Sequence, residues 1–229
     1  MAGTAVATSG GDVMHRWPTC GQAWIALMRH VTEAAEPADD DRGPVLEGPP
    51  VLFEMTELGW DDPVISRFGQ ASAGELYARK FTSTSVWAPF KYSYGARLRQ
   101  LQGVDQLAWV TRLLTERPYS KSGWVSLTVP DERPDAVPCL TGLSFRARRE
   151  ALQMSAVFRS QNAYTCYLNY LPLRDVQAEV ATALDLPSGA MRVFVDVPHL
   201  YVADAGGVDA ILSAAPAVDA GRCRRRRAE

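Results

Sequence analysis

The chain has 229 residues, 47% of them hydrophobic and 22% charged, which is the usage of a folded globular protein and excludes a wholly disordered chain, a collagen and a coiled coil. Its apolar runs break at charge or proline before the roughly 18 residues of a membrane-spanning helix, and the N-terminus lacks the basic and apolar regions of a signal peptide, so a cytoplasmic protein with no membrane partner is expected. The net charge of −2 is unevenly spread: Gly221 to Glu229 holds five arginines and one acid, leaving 19 basic against 25 acidic residues elsewhere, a body that predicts no nucleic-acid partner.

Along the chain, residues 1–12 are small and polar and predict a disordered leader. Trp24, Leu27, Met28 and Val31 form the apolar stripe of a helix that ends before Pro37. Ala38 to Pro50 gathers Asp39-Asp40-Asp41, Arg42-Gly43-Pro44 and Pro49-Pro50 and predicts a loop, with a strand beginning at Val51. Helices follow at Gly74 to Phe81 and at Val104 to Glu116, where Val104, Leu107, Ala108 and Leu114 share a face and Pro118 marks the end. Trp124 to Val129 reads as a strand. Leu140 to Phe145 and Ala151 to Phe158 read as antiparallel strands joined by the charged run Arg146 to Glu150. Leu173, Val176, Val180 and Ala183 predict a last long helix with Pro172 in its first turn, and Met191 to Val197 a final strand. The expected organisation is a single α/β (α+β) domain over residues 13–215 with one main sheet, followed by an Arg-rich tail at 216–229.

Cys20, Cys139, Cys166 and Cys223 lie far apart with no Cys-x-x-Cys pair, a spacing that argues against zinc and against a disulfide scaffold and leaves free thiols. Cys139 differs from the others in its setting, between the proline-rich stretch Asp131 to Pro138 and an apolar strand. Phe158-Arg159-Ser160-Gln161-Asn162 ends the next strand, so an arginine, a hydroxyl and an amide can share a region with this thiol. An arginine there favours thiolate and also offers a fork for phosphate.

Tyr94-Gly95-x-Arg97-Leu98, Val104-Asp105-Gln106, Pro138-Cys139, Phe158-Arg159-Ser160, Asn169 and Pro198-His199-Leu200-Tyr201 occur in the order and approximate spacing of thymidylate synthases. From about Trp24 to Asp204 the chain resembles that family, above all its short archaeal-type and antibiotic-pathway members and the related nucleotide hydroxymethylases. The resemblance implies an α/β domain with a large mixed sheet flanked by helices, paired into a homodimer. It also implies 5,10-methylenetetrahydrofolate as cofactor and a pyrimidine nucleotide as substrate. Cys139 then matches the thiolate that adds to C6 of the pyrimidine and makes C5 nucleophilic. Arg159 and Ser160 match phosphate-binding positions, and His199 and Tyr201 the pair that holds the sugar hydroxyl. Asn169 matches the amide that reads the base edge, given a one-residue deletion. Glu75 resembles the glutamate that organises water and protons, Tyr94 the tyrosine of the proton-removing water network, and Arg42 the mobile phosphate-loop arginine.

The departures carry information as well. Lys121, in Ser120-Lys121-Ser122, stands where the family sends two adjacent arginines to its partner's phosphate, and a point charge replaces a pair of forks. Asn162 stands at the folate-contacting aspartate. The sequence closes in arginines where long synthases have a hydrophobic segment that covers the substrate. Methyl transfer needs water excluded and hydroxymethyl transfer needs it admitted, so the expected product is a C5-hydroxymethyl nucleotide, with cytosine or uracil and ribose or deoxyribose left open. The alternatives are synthase-type methylation and a non-catalytic homologue that binds nucleotide or RNA.

Overall fold

The computed structural model describes residues 14–86 and 90–218, together with the backbone of 221–222; the leader expected at 1–12, most of the tail expected at 216–229, and Cys223 lie outside the described residues. In chain order the elements are β1 (His15–Arg16), α1 (Cys20–Ala34), β2 (Glu36–Asp40), β3 (Gly43–Glu47), β4 (Val51–Met55), α2 (Pro63–Phe68), α3 (Ala71–Thr82) and α4 (Tyr94–Gln100). They continue with α5 (Gln106–Glu116), β5 (Trp124–Ser126), β6 (Leu140–Arg148), β7 (Ala151–Asn162), α6 (Tyr167–Ala183), β8 (Ser188–Tyr201), α7 (Ala205–Ala214) and β9 (Gly221–Arg222). The fold is α/β with one large mixed sheet, as expected.

Local chemistry accounts for most of these elements. Thr19 and Gln22 form a reciprocal capping box that starts α1, and Trp24, Leu27, Met28 and Val31 are buried as the spacing predicts. Asp105 caps α5 by accepting from the Ala108 amide at 2.9 Å, which leaves Val104 ahead of the helix and half exposed rather than on its buried face. Asp62 caps the unanticipated α2 and also accepts from the Gly21 amide at 2.9 Å, tying two helix N-termini together. Pro172 sits in the sixth position of α6, not the first turn. The helix begins earlier than the proline suggests because Tyr167, Leu168 and Leu171 gain burial there.

The strands depart further from the sequence reading. The stretch expected to be a loop from Ala38 to Pro50 contains most of a hairpin, with Glu36↔Glu47 through Asp40↔Gly43 paired. Asp40 closes the turn by accepting from the Arg42 amide at 2.6 Å, and β2 has only one strand neighbour, where its proline is tolerated. β6 and β7 continue through the charged run to a two-residue turn, Arg149-Glu150, with φ of 52° and 60°. β5 is shorter than expected and ends at Ser126.

The sheet runs β5-β6-β7-β8-β4-β1-β9, and β3 joins β8 with β2 beyond it. β8 is the hub. It pairs in parallel with β7 from Leu152↔Ser188 to Asn162↔His199, and along its other edge it pairs first with β4 and then with β3. Leu152, Met154, Ala156 and Phe158 of β7 and Met191, Val193 and Val195 of β8 are buried, in the core where α1, α5 and α6 lie against the sheet. The other face carries Leu52, Phe194 and Val157 in one cross-strand row, all partly exposed. At the end of that row Trp124 lies where a side chain on Gly142 would be, 2.3 Å from the position of its missing Cβ.

The left-handed turn generates a first prediction. Neither Arg149 nor Glu150 suits φ > 0, whereas Asn-Gly is the favoured pair for this hairpin geometry. The combined change Arg149→Asn and Glu150→Gly is expected to raise stability by about 1 kcal/mol, read as a thermal midpoint roughly 2–4 °C higher in calorimetry.

Candidate active site

Cys139 stands immediately before β6 and is half-buried. Its carbonyl accepts from the Arg159 amide at 2.9 Å, so β7 sets its position, and Ser160 donates its hydroxyl to Sγ at 3.6 Å. Two tyrosines hold the peptides around it: the Cys139 amide donates to the Tyr92 hydroxyl and the Leu140 amide to the Tyr94 hydroxyl, each at 3.4 Å. Burial pushes the Tyr94 hydroxyl well above its ordinary range and raises that of Tyr92 too, so both remain neutral dipoles at physiological pH. Tyr92 escaped the sequence reading. Its signal was the Tyr92-Ser93-Tyr94 alternation, which sets both rings near one another with centroids 5.3 Å apart.

The approach to Cys139 is clamped at both ends. Arg159 donates to the carbonyls of Pro138 at 3.1 Å and Val137 at 2.9 Å. Arg97, only 8% exposed, pairs with Glu132 and donates to the carbonyls of Leu127 at 2.6 Å and Ala136 at 2.9 Å. The α4 helix that carries Arg97 crosses α3 so closely that a Cβ on Gly95 would fall 2.2 Å from the Ser83 carbonyl oxygen, which explains the glycine after Tyr94. By contrast Cys20 and Cys166 are fully buried, and burial drives both thiols up, so neither is an accessible, reactive thiol.

A second group adjoins the first. Pairing of β3 with β8 sets Val45 opposite Tyr201 and Glu47 opposite His199. The Tyr201 hydroxyl donates to Asp40 at 2.8 Å, and burial together with that carboxylate pushes it up to about 12. His199 packs edge-on to Tyr201 at 5.3 Å. Its Nδ1 lies 3.2 Å from the Val197 carbonyl, which requires the proton on Nδ1 and leaves Nε2 as an acceptor. Burial lowers the His199 pKa, so the ring is neutral near pH 7. Tyr201 feels the charges of both Arg42 and Cys139, which makes the hairpin turn, the end of β8 and the thiol one electrostatic neighbourhood.

Asn162, opposite His199 in the β7–β8 ladder, is already engaged: its Oδ1 accepts from the Tyr164 amide at 2.9 Å and its Nδ2 donates to Asp204 at 3.3 Å. Asp204, in the short 3-10 turn after β8, was missed because a lone acid in Val202-Ala203-Asp204 carries no pattern. Asn169 is 8% exposed; its backbone amide donates to the Cys166 carbonyl at 2.9 Å, and among the described residues no group bonds its side-chain amide.

Two expected residues stand apart. Glu75 is exposed on α3, roughly 160° around the helix from Tyr77, whose face turns toward the tyrosines. Lys80 holds that inward face in its place, with its ammonium 4.4 Å from the ring centroid of Tyr92 and 4.6 Å from that of Tyr94. Lys121 is exposed in the α5–β5 connection, and no described contact joins it to Cys139 in the same chain.

No family model matches this chain. Seven curated archaeal proteins named "Putative thymidylate synthase" do resemble it. The protein from Methanococcoides burtonii is 26% identical over 203 residues, covering 85% of this chain and 92% of its own length. That from Methanosarcina barkeri is 26% identical over 195 residues, with 81% and 88% covered. That from Methanopyrus kandleri is 25% identical over 203 residues, with 85% and 96% covered.

The clamp on the cysteine loop is testable without substrate. Arg97→Ala strands Glu132 in a largely buried setting and leaves two carbonyls without their donors, and the expected loss is about 3–5 kcal/mol in urea unfolding. Glu132→Gln, which keeps an acceptor for the guanidinium, is expected to lose clearly less.

Proposed function

We propose, for a chain that belongs to the thymidylate synthase-like family, that it transfers a one-carbon unit to C5 of a pyrimidine nucleotide and releases a hydroxymethyl product. The observation that carries this reading is the setting of Cys139: a half-buried residue whose thiol is bonded by Ser160, with two neutral tyrosine hydroxyls accepting from its own amide and that of Leu140. Addition of its thiolate to C6 forms a C–S bond and moves the ring π electrons toward O4 of a uracil or N3 of a cytosine, which leaves C5 able to attack an electrophilic carbon. Loss of the C5 proton with departure of the carrier nitrogen would leave an exocyclic methylene on C5, water adds to that carbon, and expulsion of the thiolate from C6 restores the C5–C6 double bond.

The remaining residues take binding roles in this proposal. Asn169, whose side-chain amide has no partner among the described residues, reads the base edge, and His199 Nε2 with Tyr201 holds the sugar hydroxyl. Arg159, Ser160 and Arg42 receive the phosphate. Tyr94, with Tyr92, orders the water that carries off the C5 proton. Glu75 is given no role, because α3 turns it toward solvent.

When bound, 5,10-methylenetetrahydrofolate supplies the one-carbon unit, and the residues around Asn162 fit such a group. A pterin presents adjacent N–H donors that call for a carboxylate, and the amide at position 162 holds the Asp204 carboxylate beside it. Asn162 and Asp204 together would contact the folate. Water capture is favoured by the half-buried Cys139 and its surround of hydroxyls, which suits admitted water better than a dry site built for hydride transfer.

Two subunits complete the site in this reading. The row of Leu52, Phe194 and Val157 on the sheet face opposite the core supports a homodimer interface, across which Lys121 reaches the neighbouring nucleotide phosphate.

The decisive measurement uses CMP, dCMP, UMP and dUMP labelled with tritium at C5. Label release is expected from one of them, faster with methylenetetrahydrofolate and abolished in Cys139→Ser. Mass spectrometry is expected to show a product heavier by CH2O. A CH2 product would establish methylation instead, and nucleotide binding without label release would make the chain a binding module.

The dimer has its own test. Phe194→Arg is expected to give a monomer in sedimentation. Mixing inactive Cys139→Ser subunits with Lys121→Ala subunits is expected to restore part of the activity, and heterodimers without rescue would refute the shared site.

A further inference from the structure

Only three of the chain's 24 basic residues are lysines, and one of them, Lys80, is 8% exposed. Its ammonium sits among four aromatic rings, 4.4 Å from the centroids of Phe90 and Tyr92, 4.6 Å from Tyr94 and 5.6 Å from Tyr77. Among the described residues no carboxylate pairs with it. A buried cation offset only by ring faces is an expensive arrangement, since cation–π attraction does not repay the whole loss of hydration of an ammonium. Two of these rings are the tyrosines whose hydroxyls accept from the Cys139 and Leu140 amides. The cage around Lys80 and the support of the Cys139 backbone therefore share two side chains, Tyr92 and Tyr94.

We propose that Lys80 is the counter-charge of the Cys139 thiolate, a positioning residue that holds one positive charge inside the site while the sulfur ionises. This deepens the functional reading above and rests on Cys139 being its nucleophile. On ionisation the S–H bond breaks, the proton leaves to water, and the sulfur keeps the electron pair that will bond to C6. The groups facing Lys80 agree with the assignment. Tyr77 projects from its own helix, Phe90, Tyr92 and Tyr94 from the segment leading into α4, and Ser93 donates its hydroxyl to the Lys80 carbonyl at 3.2 Å. Cys139 acts on it from the start of β6, and Arg42 repels it from the β2–β3 turn. Arg97 lies over the Tyr92 ring at 5.3 Å, and Arg159 reaches Tyr92 from β7. Of the charged groups that act on Lys80, Cys139 favours the ammonium and Arg42 opposes it. Burial lowers Lys80 to about 8, and the Cys139 charge acts in the opposite direction, so the amine is still mostly protonated at pH 7.

The test needs neither nucleotide nor folate. Iodoacetamide alkylation of the Cys139 peptide, followed by mass spectrometry across pH 5–9, is expected to be about tenfold slower at pH 7 in Lys80→Met than in the unaltered chain. Lys80→Arg is expected to recover most of the rate, which a purely structural effect would not do. The second arm uses 13C-labelled lysine, whose three side-chain signals can be followed by NMR in the unaltered chain and in Cys139→Ser. Coupling is reciprocal, so loss of the thiolate is expected to shift the Lys80 titration to lower pH. Alkylation within twofold of the unaltered rate in Lys80→Met, or an unmoved Lys80 titration in Cys139→Ser, overturns the proposal; if Lys80→Met does not fold, the NMR arm decides alone. Label release from nucleotide with either null result removes the role of Lys80 and keeps the one-carbon chemistry. Positive results in both arms without label release remove the chemistry and keep the ion pair.

Discussion

The parallel pairing of β7 with β8 is the constraint on which the site depends. Leu152, Met154, Ala156 and Phe158 face the core from one strand and Met191, Val193 and Val195 from the other, each large side chain worth about 1.5–3 kcal/mol on burial. A slip of one residue would turn Gln153, Ser155 and Arg159 inward, so the core fixes the register far more strongly than any polar contact could. The polar residues beyond that apolar stretch inherit the register. Ser160 then stands at the thiol and Asn162 stands opposite His199. The length of β8 extends the same logic to β3, which brings Arg42 and Asp40 to Tyr201.

Around the thiol the chain uses neutral dipoles close in and cations further out. Tyr92 and Tyr94 are kept protonated by burial, Ser160 is neutral at any physiological pH, and burial keeps His199 uncharged near pH 7. Arg42 and Arg159 are exposed and can be desolvated by an incoming anion without leaving a buried charge unpaired beforehand. Lys80 is the exception, a cation held inside the aromatic ring of contacts, and in the proposed reading its removal separates support of the thiol from binding of phosphate.

Rigidity in this region comes from long side chains reaching main-chain carbonyls. Arg97 holds Leu127 and Ala136, Arg159 holds Val137 and Pro138, and Arg174 holds Gly189 at 2.7 Å. Gln106 does the same at the sheet edge, bonding both the amide and the carbonyl of Ser126. Irregular loops leave carbonyls without ladder partners, and arginine's fork satisfies two at once. The cysteine loop is ordered in this way although only one short 3-10 turn, Pro134–Ala136, interrupts it.

The sequence by itself determined the α1, α3 and α5 helices, the strands flanking Cys139 and the α/β class, because apolar periodicity and cap residues act over a few neighbours. Its ordered motifs also resembled those of thymidylate synthases, and archaeal proteins named "Putative thymidylate synthase" are 25–26% identical to the chain over most of their length. Only the tertiary structure decided what long-range pairing controls. The proline- and aspartate-rich stretch after α1 became a hairpin because β8 offered its edge to Val45. Pro172 moved inside α6 because the core rewarded an earlier start. Glu75, Lys80, Tyr92 and Asp204 show the same limit at the site. Local sequence puts Glu75 and Lys80 on one helix, but which of them turns inward depends on where the aromatic residues of a separate segment lie, and that is set by packing rather than by neighbours in the chain.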